Sequence, residues 1–173
     1  LEKVYEYTDY VAVNISSPNT KDLRKLTHSE YLNDLIGKIK SKQQELSKLY
    51  GYKPVFIKIS PDEDHSNLKN ICNSIIENKI DGVICSNTSV NHDYFGGQGG
   101  LSGAPIRKTS TACLIEVKSL VGDKIPIIAS GGVMSVSDFE EKLEAGADYV
   151  QLYTGFIYEG PKLIKEIVNH CTE

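Results

Sequence analysis

The sequence predicts an α/β fold, specifically a (β/α)8 barrel of which this chain supplies roughly the last five βα units. Short apolar runs alternate with amphipathic helical patterns five times. The runs are apolar on both faces, as are strands of a parallel sheet covered by helices. Polar clusters follow every run, and no GxGxxG follows the first. Chemistry at the carboxyl end of each strand is typical of a barrel rather than of a doubly wound dinucleotide-binding sheet.

Each element is predicted from its own pattern. Helices are assigned where apolar residues recur every three or four positions, as Leu32, Leu35 and Ile36 do. Ser137 and Glu140 are expected to form a capping box, and Pro161 to open the last helix. The predicted order is a strand at 10–13, a helix at 32–49, a strand at 55–62, a helix at 68–76, a strand at 80–87, a helix at 114–121, a strand at 125–132, a helix at 137–146, a strand at 149–154 and a helix at 161–168.

Composition limits the classes of function. The chain has 173 residues, of which 40% are hydrophobic, which is enough for one domain with a core. Its net charge of −4 gives no electrostatic case for nucleic acid, and no apolar run reaches the length of a membrane span. The four cysteines form no CxxC motif and have no histidines at ligand spacing, so no metal site is predicted. Because roughly five units cannot close an eight-stranded barrel, we expect further units ahead of Leu1 and regard the chain as the C-terminal part, 1–173, of a single domain.

The first strand ends in the polar segment Asn14-Ile-Ser-Ser-Pro-Asn-Thr20. Asparagine supplies donors and acceptors without charge, which suits a site that holds a polar ring. A hydroxyl beside it is a candidate proton acceptor or donor. A Ser-Pro turn with an Asx cap is the structural alternative. The polar clusters at the other strand ends favour the functional interpretation.

Lys58 lies inside the otherwise apolar strand Val-Phe-Ile-Lys-Ile. It could be an edge lysine that points to solvent. Burying it is costly unless an anion or an electron-rich ring meets it, and a flavin would be such a partner. Asn87 and Thr88 follow the next strand and repeat the pairing of an asparagine with a hydroxyl, or they are simply a polar strand end.

Three glycine-containing loops follow the later strands. The segment Gly96–Gly103 is rich in glycine, Ser130-Gly131-Gly132 follows the fourth strand, and Tyr153-Thr154-Gly155 follows the fifth. Glycines let the backbone approach a ligand and expose N–H groups to an anion. Since the loops after the last two strands of a barrel commonly bind phosphate, a phosphorylated cofactor is predicted there.

Seven motifs in order resemble one family. They are Asn14–Thr20, Val55-Phe-Ile-Lys-Ile-Ser-Pro-Asp62, Ser86-Asn-Thr88, Gly99-Gly-Leu-Ser-Gly103, Ile127-Ile-Ala-Ser-Gly-Gly-Val133, Glu144-Ala-Gly-Ala147 and Gln151-Leu-Tyr-Thr154. Together they resemble dihydroorotate dehydrogenase, in particular the class 2, quinone-linked form. The resemblance implies FMN-dependent oxidation of dihydroorotate to orotate in pyrimidine synthesis. In that family, a loop residue removes the C5 proton and the C6 hydride passes to flavin N5.

The resemblance also implies roles for individual residues. By motif position the base is Ser17, where class 1 enzymes carry cysteine. The substrate-binding residues would be Asn14, Asn19, Asn87 and Thr88. The cofactor-binding residues would be Asn14 again, with Lys58 and Ser86 at the flavin ring and Gly103, Gly132, Tyr153 and Thr154 at the ribityl phosphate.

The expected partners are dihydroorotate or orotate and a quinone as electron acceptor, with no nucleic acid. Membrane association is expected through a segment that this chain does not contain. The expected location is the mitochondrial inner membrane in a eukaryote or the inner membrane of a bacterium. One alternative is another FMN barrel, such as a class 1 dehydrogenase or a dihydrouridine synthase. A second alternative is a catalytically incompetent piece of the enzyme. We expect the 173 residues alone not to hold FMN stoichiometrically or to turn over dihydroorotate.

Overall fold

The computed structural model describes residues 1–16, 31–97 and 99–172. Five parallel strands form one sheet in the order β1-β2-β3-β4-β5, and a helix follows each strand from β2 onward. The predicted succession of strands and helices is confirmed. The strands are β1 Val11–Asn14, β2 Val55–Ile59, β3 Gly82–Cys85, β4 Ile127–Ser130 and β5 Tyr149–Gln151. The helices are α1 Tyr31–Tyr50, α2 His65–Glu77, α3 Arg107–Val121, α4 Val136–Glu144, α5 Thr154–Glu159 and α6 Pro161–Thr172.

One face of the sheet packs against the helices and forms the main core. In β2, the alternate residues Val55, Ile57 and Ile59 are fully buried there. They contact a helical layer that includes Leu68, Ile71 and Ile75 of α2 and Leu114 and Val117 of α3. Side chains alternate between faces along a strand, so the residues between them point away from the helices.

The opposite face carries a smaller apolar cluster of Phe56, Ile84 and Ile128. A β-carbon on Gly82 would lie 2.4 Å from the Phe56 ring and 2.7 Å from the Pro126 carbonyl oxygen, so glycine here makes room for the ring. Lys58 follows Phe56 by two residues and therefore lies on this inner face. The apolar cluster therefore lies on the same face of the sheet as Lys58.

Two aspartates repeat one arrangement at the amino ends of the strands. Asp81 donates its N–H to Val55 O and accepts Val55 N–H at its carboxylate, with the second bond at 2.8 Å. Asp148 forms the same pair of bonds with Ile127, and its carboxylate accepts at 2.8 Å. Each aspartate precedes a strand and fixes the start of the neighbouring strand. The contacts at this end of the sheet thus stabilise the fold, as contacts at the amino end of a barrel usually do.

Local differences from the predicted elements have simple causes. The cap of α4 is Ser135, whose hydroxyl accepts Asp138 N–H at 3.1 Å, so the predicted capping box at Ser137 is wrong by two residues. The first turns of α3 were missed because Arg107 to Thr111 present few apolar residues. The short helix α5 was missed because the motif at Tyr153 resembles a loop.

In the described residues, β1 and β5 each pair with one neighbouring strand. Both strands are therefore sheet edges, with an unpaired row of backbone groups. None of the helices in the described part of the chain combines the length and apolar character that a bilayer crossing requires.

Candidate functional site

The polar carboxyl ends of β2 to β5 surround one cavity of about 220 Å³. A carboxyl end of a parallel sheet is where α/β proteins bind their ligands. Eight of the residues singled out from the sequence line this cavity. They are Lys58, Ser86, Asn87, Thr88, Gly103, Gly132, Tyr153 and Thr154. The structure thus brings these residues together, while the role of each stays a prediction.

Lys58 contributes a positively charged side chain to the wall of the cavity. It is half-buried and lies opposite Asn14 and Ile84 in the strand register. Burial lowers the pKa of its ammonium below the ordinary value. Within the described residues no carboxylate or other acceptor bonds the ammonium. A partly dehydrated charge with no partner among the described residues favours an anionic or electron-rich ligand.

Asn14 is exposed and joins the site through hydrogen bonds. Its Oδ1 accepts from Ser16 N at 3.1 Å and from Asn87 Nδ2 at 3.1 Å. The same Asn87 nitrogen lies 3.2 Å from Ser16 Oγ. With Oδ1 engaged in this way, the Asn14 NH2 group has no acceptor in the described part of the chain. It can therefore donate to a carbonyl or carboxylate of a ligand.

The loop after β3 is fixed at its base. Asp62, just beyond β2, accepts Ser89 Oγ–H at 2.5 Å and Val90 N–H at 2.8 Å. Ser89 and Leu101 exchange two backbone hydrogen bonds of 3.1 and 2.7 Å. This bridge brings the end of the glycine-rich segment back to the cavity. The motif aspartate thus orders the loop that carries the predicted binding residues Asn87 and Thr88.

Two glycines allow the loops above β3, β4 and β5 to meet. A β-carbon on Gly103 would lie 2.8 Å from Thr154 Cγ2, and Gly103 has a φ of +75°. A β-carbon on Gly132, with a φ of +80°, would lie 2.3 Å from Arg107 Cα. Thr154 Oγ1 also donates to Ser102 Oγ at 2.9 Å. These close approaches require glycine and place three loops around one end of the cavity.

Sequence reasoning missed two residues of this region. Ser16 is fully buried and donates to Lys58 O at 3.0 Å, so it joins the first polar loop to β2. Gln151 lines the cavity and donates to Tyr10 OH at 2.9 Å, although 141 residues separate them. Only the place of Gln151 at a strand end could have indicated it. Ser17 and Asn19, the predicted base and a predicted substrate residue, lie outside the described residues.

Comparison with known proteins settles the family. The family model described as dihydroorotate dehydrogenase matches residues 1–173. The chain belongs to the dihydroorotate dehydrogenase family. The resemblance seen in the sequence motifs is confirmed by this match.

Relatives and solved structures agree with the family. The chain is 49% identical to the dihydroorotate dehydrogenase (quinone) of Aliivibrio salmonicida, covering 98% of this chain and 53% of that protein. It is 46% identical to the protein of the same name from Shewanella woodyi, over 99% and 52% of the two chains. A crystal structure of DHODH from Eimeria tenella in complex with ferulenol superposes with a TM-score of 0.89 at 29% identity, over 98% of this chain and 51% of that one.

The chain spans about half the length of the curated relatives it matches. The solved dihydroorotate dehydrogenase structure is likewise covered to about half. Five parallel βα units over half of a family member support the prediction that the chain is part of a (β/α)8 barrel. Within the described residues, no three His, Cys, Asp or Glu side chains come together as a metal site needs.

Proposed function

We propose that the protein carrying this chain is an FMN-dependent dihydroorotate dehydrogenase that passes electrons to a quinone. The family match and the names of the relatives support this activity. The observation that carries the proposal is Lys58, a half-buried ammonium in a cavity at the carboxyl end of the sheet. The chain would supply the part of the active site built from the last five units.

The residues present fit FMN at both ends. Lys58 would face the pyrimidine edge of the flavin ring, where negative charge collects, and the cost of its dehydration would be offset there. Gly103, Gly132 and Thr154 converge at the other end of the cavity. Among the described residues, the N–H groups of Gly132 and Val133 donate to no acceptor of the chain, as an anion-binding loop requires.

The asparagine cluster would hold the substrate. Asn14 and Asn87 are joined through one hydrogen bond of 3.1 Å and present amide groups beside Lys58. Thr88 N donates to Asn87 Oδ1 at 2.9 Å, which fixes the second amide. Uncharged donors and acceptors in a fixed arrangement suit a pyrimidine ring bearing carbonyls and a carboxylate. Asn19 is proposed to complete the set.

Ser17 is proposed to take the C5 proton of dihydroorotate. A serine hydroxyl is intrinsically a weak base, so it requires a hydrogen-bonded relay or high pH. FMN, when bound, would supply the hydride acceptor for the oxidation. The chain's own residues would then orient the ring beside the proton acceptor.

The acceptor and the location are further parts of the proposal. A quinone acceptor is supported by the names of the bacterial relatives. Because quinones dissolve in lipid, the protein is proposed to associate with a membrane through a segment outside this chain. The mitochondrial inner membrane in a eukaryote, or the bacterial inner membrane, is the proposed location.

Anaerobic rapid mixing of the full-length protein with dihydroorotate tests the activity. The bound flavin should lose its absorbance as orotate forms, and adding a quinone should restore it. A protein that holds FMN but keeps its absorbance in the presence of dihydroorotate would disprove the proposed substrate. Loss of absorbance with no recovery on quinone would disprove the proposed acceptor.

A further inference from the structure

Lys142 in α4 is fully buried, with 0% of its surface exposed. A buried ammonium is costly unless its donors are satisfied. Within the described residues no carboxylate forms a salt bridge with it. Burial accordingly lowers the pKa of Lys142 below the ordinary value. Nothing in the proposed chemistry so far uses this residue, although it lies beneath the cavity-lining loop after β4.

Three acceptors surround the three protons of the ammonium. Lys142 Nζ lies 2.7 Å from Ser110 Oγ, 2.6 Å from Thr111 Oγ1 and 3.4 Å from Arg107 O. An ammonium can only donate, so both hydroxyls accept from it. Each hydroxyl must then donate its own proton elsewhere. The lysine thereby sets the direction of two hydrogen-bond chains.

One of these chains ends on the glycine loop. Ser110 Oγ has two acceptor contacts, Gly131 O at 2.8 Å and Arg107 O at 3.0 Å, and its hydroxyl donates along the shorter one to Gly131 O. The carbonyl of Gly131 and the N–H of Gly132 belong to the same peptide group, and in a trans peptide they point in opposite directions. Holding the carbonyl towards Ser110 therefore turns the Gly132 N–H to the other side. That N–H has no acceptor within the described part of the chain, and both glycines line the cavity.

The glycine loop packs closely against the start of α3, so a side chain would not fit at Gly131. A β-carbon on Gly131 would lie 2.9 Å from Ile106 Cδ1, and Gly131 has a φ of +105°. The far end of the same loop is also held, because Met134 N donates to Asp138 Oδ2 at 3.0 Å. Asp138 in turn accepts a hydrogen bond from Arg107. The loop is thus anchored at both ends to α3 and α4.

We propose that Lys142, acting through Ser110, is a positioning residue that orients the Gly131–Gly132 peptide group to bind a phosphate monoester. The inference rests on the proposed function and deepens it, because the monoester would be that of FMN. Lys142 itself does not touch the ligand. Its effect is expected at the end of the cavity after β4, which lies two strands from Lys58 in β2, the residue proposed to face the flavin ring.

Comparing FMN with riboflavin tests this inference, because riboflavin lacks the phosphate. Dissociation constants for both flavins are measured by fluorescence titration of the full-length apoprotein. Lys142→Met removes all three donors at similar volume, and Ser110→Ala removes only the link to Gly131. We expect each variant to bind FMN about tenfold more weakly, as the loss of one well-aligned hydrogen bond predicts. The riboflavin dissociation constant should stay within about twofold.

The matched control is Val117→Ala, which truncates a buried α3 side chain of the main core. It should lower stability and leave the ratio of FMN to riboflavin affinity unchanged. Equal weakening of both flavins by Lys142→Met and Ser110→Ala, or no weakening at all, would overturn the inference. If Lys142→Met does not fold, Ser110→Ala decides alone. Wild-type protein that binds neither flavin would instead overturn the proposed function.

Discussion

Replacing Asp81 with asparagine should destabilise the fold without changing the site. The Asp81 carboxylate lies at the amino ends of the strands, opposite the cavity. It accepts four donors: Tyr52 OH, Lys40 Nζ at 3.2 Å, Gln43 Nε2 at 2.5 Å and Val55 N at 2.8 Å. The asparagine side chain would keep one oxygen and would turn an NH2 group towards two of these donors. Two hydrogen bonds to a charged group would be lost.

The expected cost follows from these contacts. A hydrogen bond to a charged group contributes about 1.5–3 kcal/mol, and the lysine pair adds little because salt bridges near the surface contribute about 0–1 kcal/mol. Relaxation of Tyr52 towards solvent recovers part of the loss. Asp81→Asn should therefore reduce the free energy of unfolding by about 2–3 kcal/mol at neutral pH.

The pH dependence gives this prediction a second signature. Burial alone would raise the pKa of Asp81, but the bonds from Tyr52, Val55 and Gln43 and the charge of Lys40 outweigh it and lower the pKa. A carboxyl whose pKa is lowered on folding stabilises the fold above its unfolded pKa of about 3.9. That stabilisation disappears as the pH falls through the lower folded pKa. The gap between wild type and variant should thus be constant near neutrality and shrink in acid.

Urea unfolding of the apoprotein, followed by circular dichroism from neutral pH to below pH 4, measures both signatures. The control is Asp34→Asn, whose exposed carboxylate accepts from Lys38 on the surface of α1. It should change stability by less than about 0.5 kcal/mol. If Asp81→Asn is no more destabilising than Asp34→Asn, or if its cost persists unchanged in acid, the reasoning about this carboxylate is refuted.

Two further changes test other parts of the molecule. Ser17→Ala should make dihydroorotate reduce the bound flavin about 10²–10⁴-fold more slowly, because a positioned proton acceptor is lost. Substrate affinity should change little. Reduction at the wild-type rate in rapid mixing would show that another residue is the base. Gly82→Ala should lower the free energy of unfolding in urea by about 1–3 kcal/mol, because the new β-carbon would clash with Phe56 and the Pro126 carbonyl; unchanged stability would show that the ring moves aside at no cost.

Much of the fold could be predicted because its signals are local. The apolar run Val55–Ile59 and the helical spacing in α2 each need only a short window of sequence, and both elements lie where they were predicted. Pro161 opens α6 as its fixed φ suggests. The α4 cap could not be chosen securely, since Ser135 and Ser137 both offer a hydroxyl and a later acidic residue. In the structure Ser135 takes the position, with its hydroxyl accepting Asp138 N–H.

The candidate site was predictable where polar residues interrupt apolar strands, as Lys58 does. It was not predictable where the relevant contacts join distant parts of the chain. Lys142 looks like an ordinary charged residue on an amphipathic helix, and its burial depends on two hydroxyls in α3. The bond from Gln151 to Tyr10 depends on the curvature of the whole sheet. Neither contact leaves a pattern in a single sequence.

The most direct test of the account is FMN binding by the Lys58→Met variant of the full-length protein. The central claim is that the half-buried ammonium of Lys58 faces the flavin ring in the cavity at the strand ends. Fluorescence titration of the apoprotein should show tight FMN binding by wild type and binding weakened by about tenfold or more in the variant. Lys38→Met, an exposed lysine on α1, should bind FMN as wild type does. Equal FMN affinity in wild type and Lys58→Met would contradict the account and show that the Lys58 ammonium does not bind the flavin.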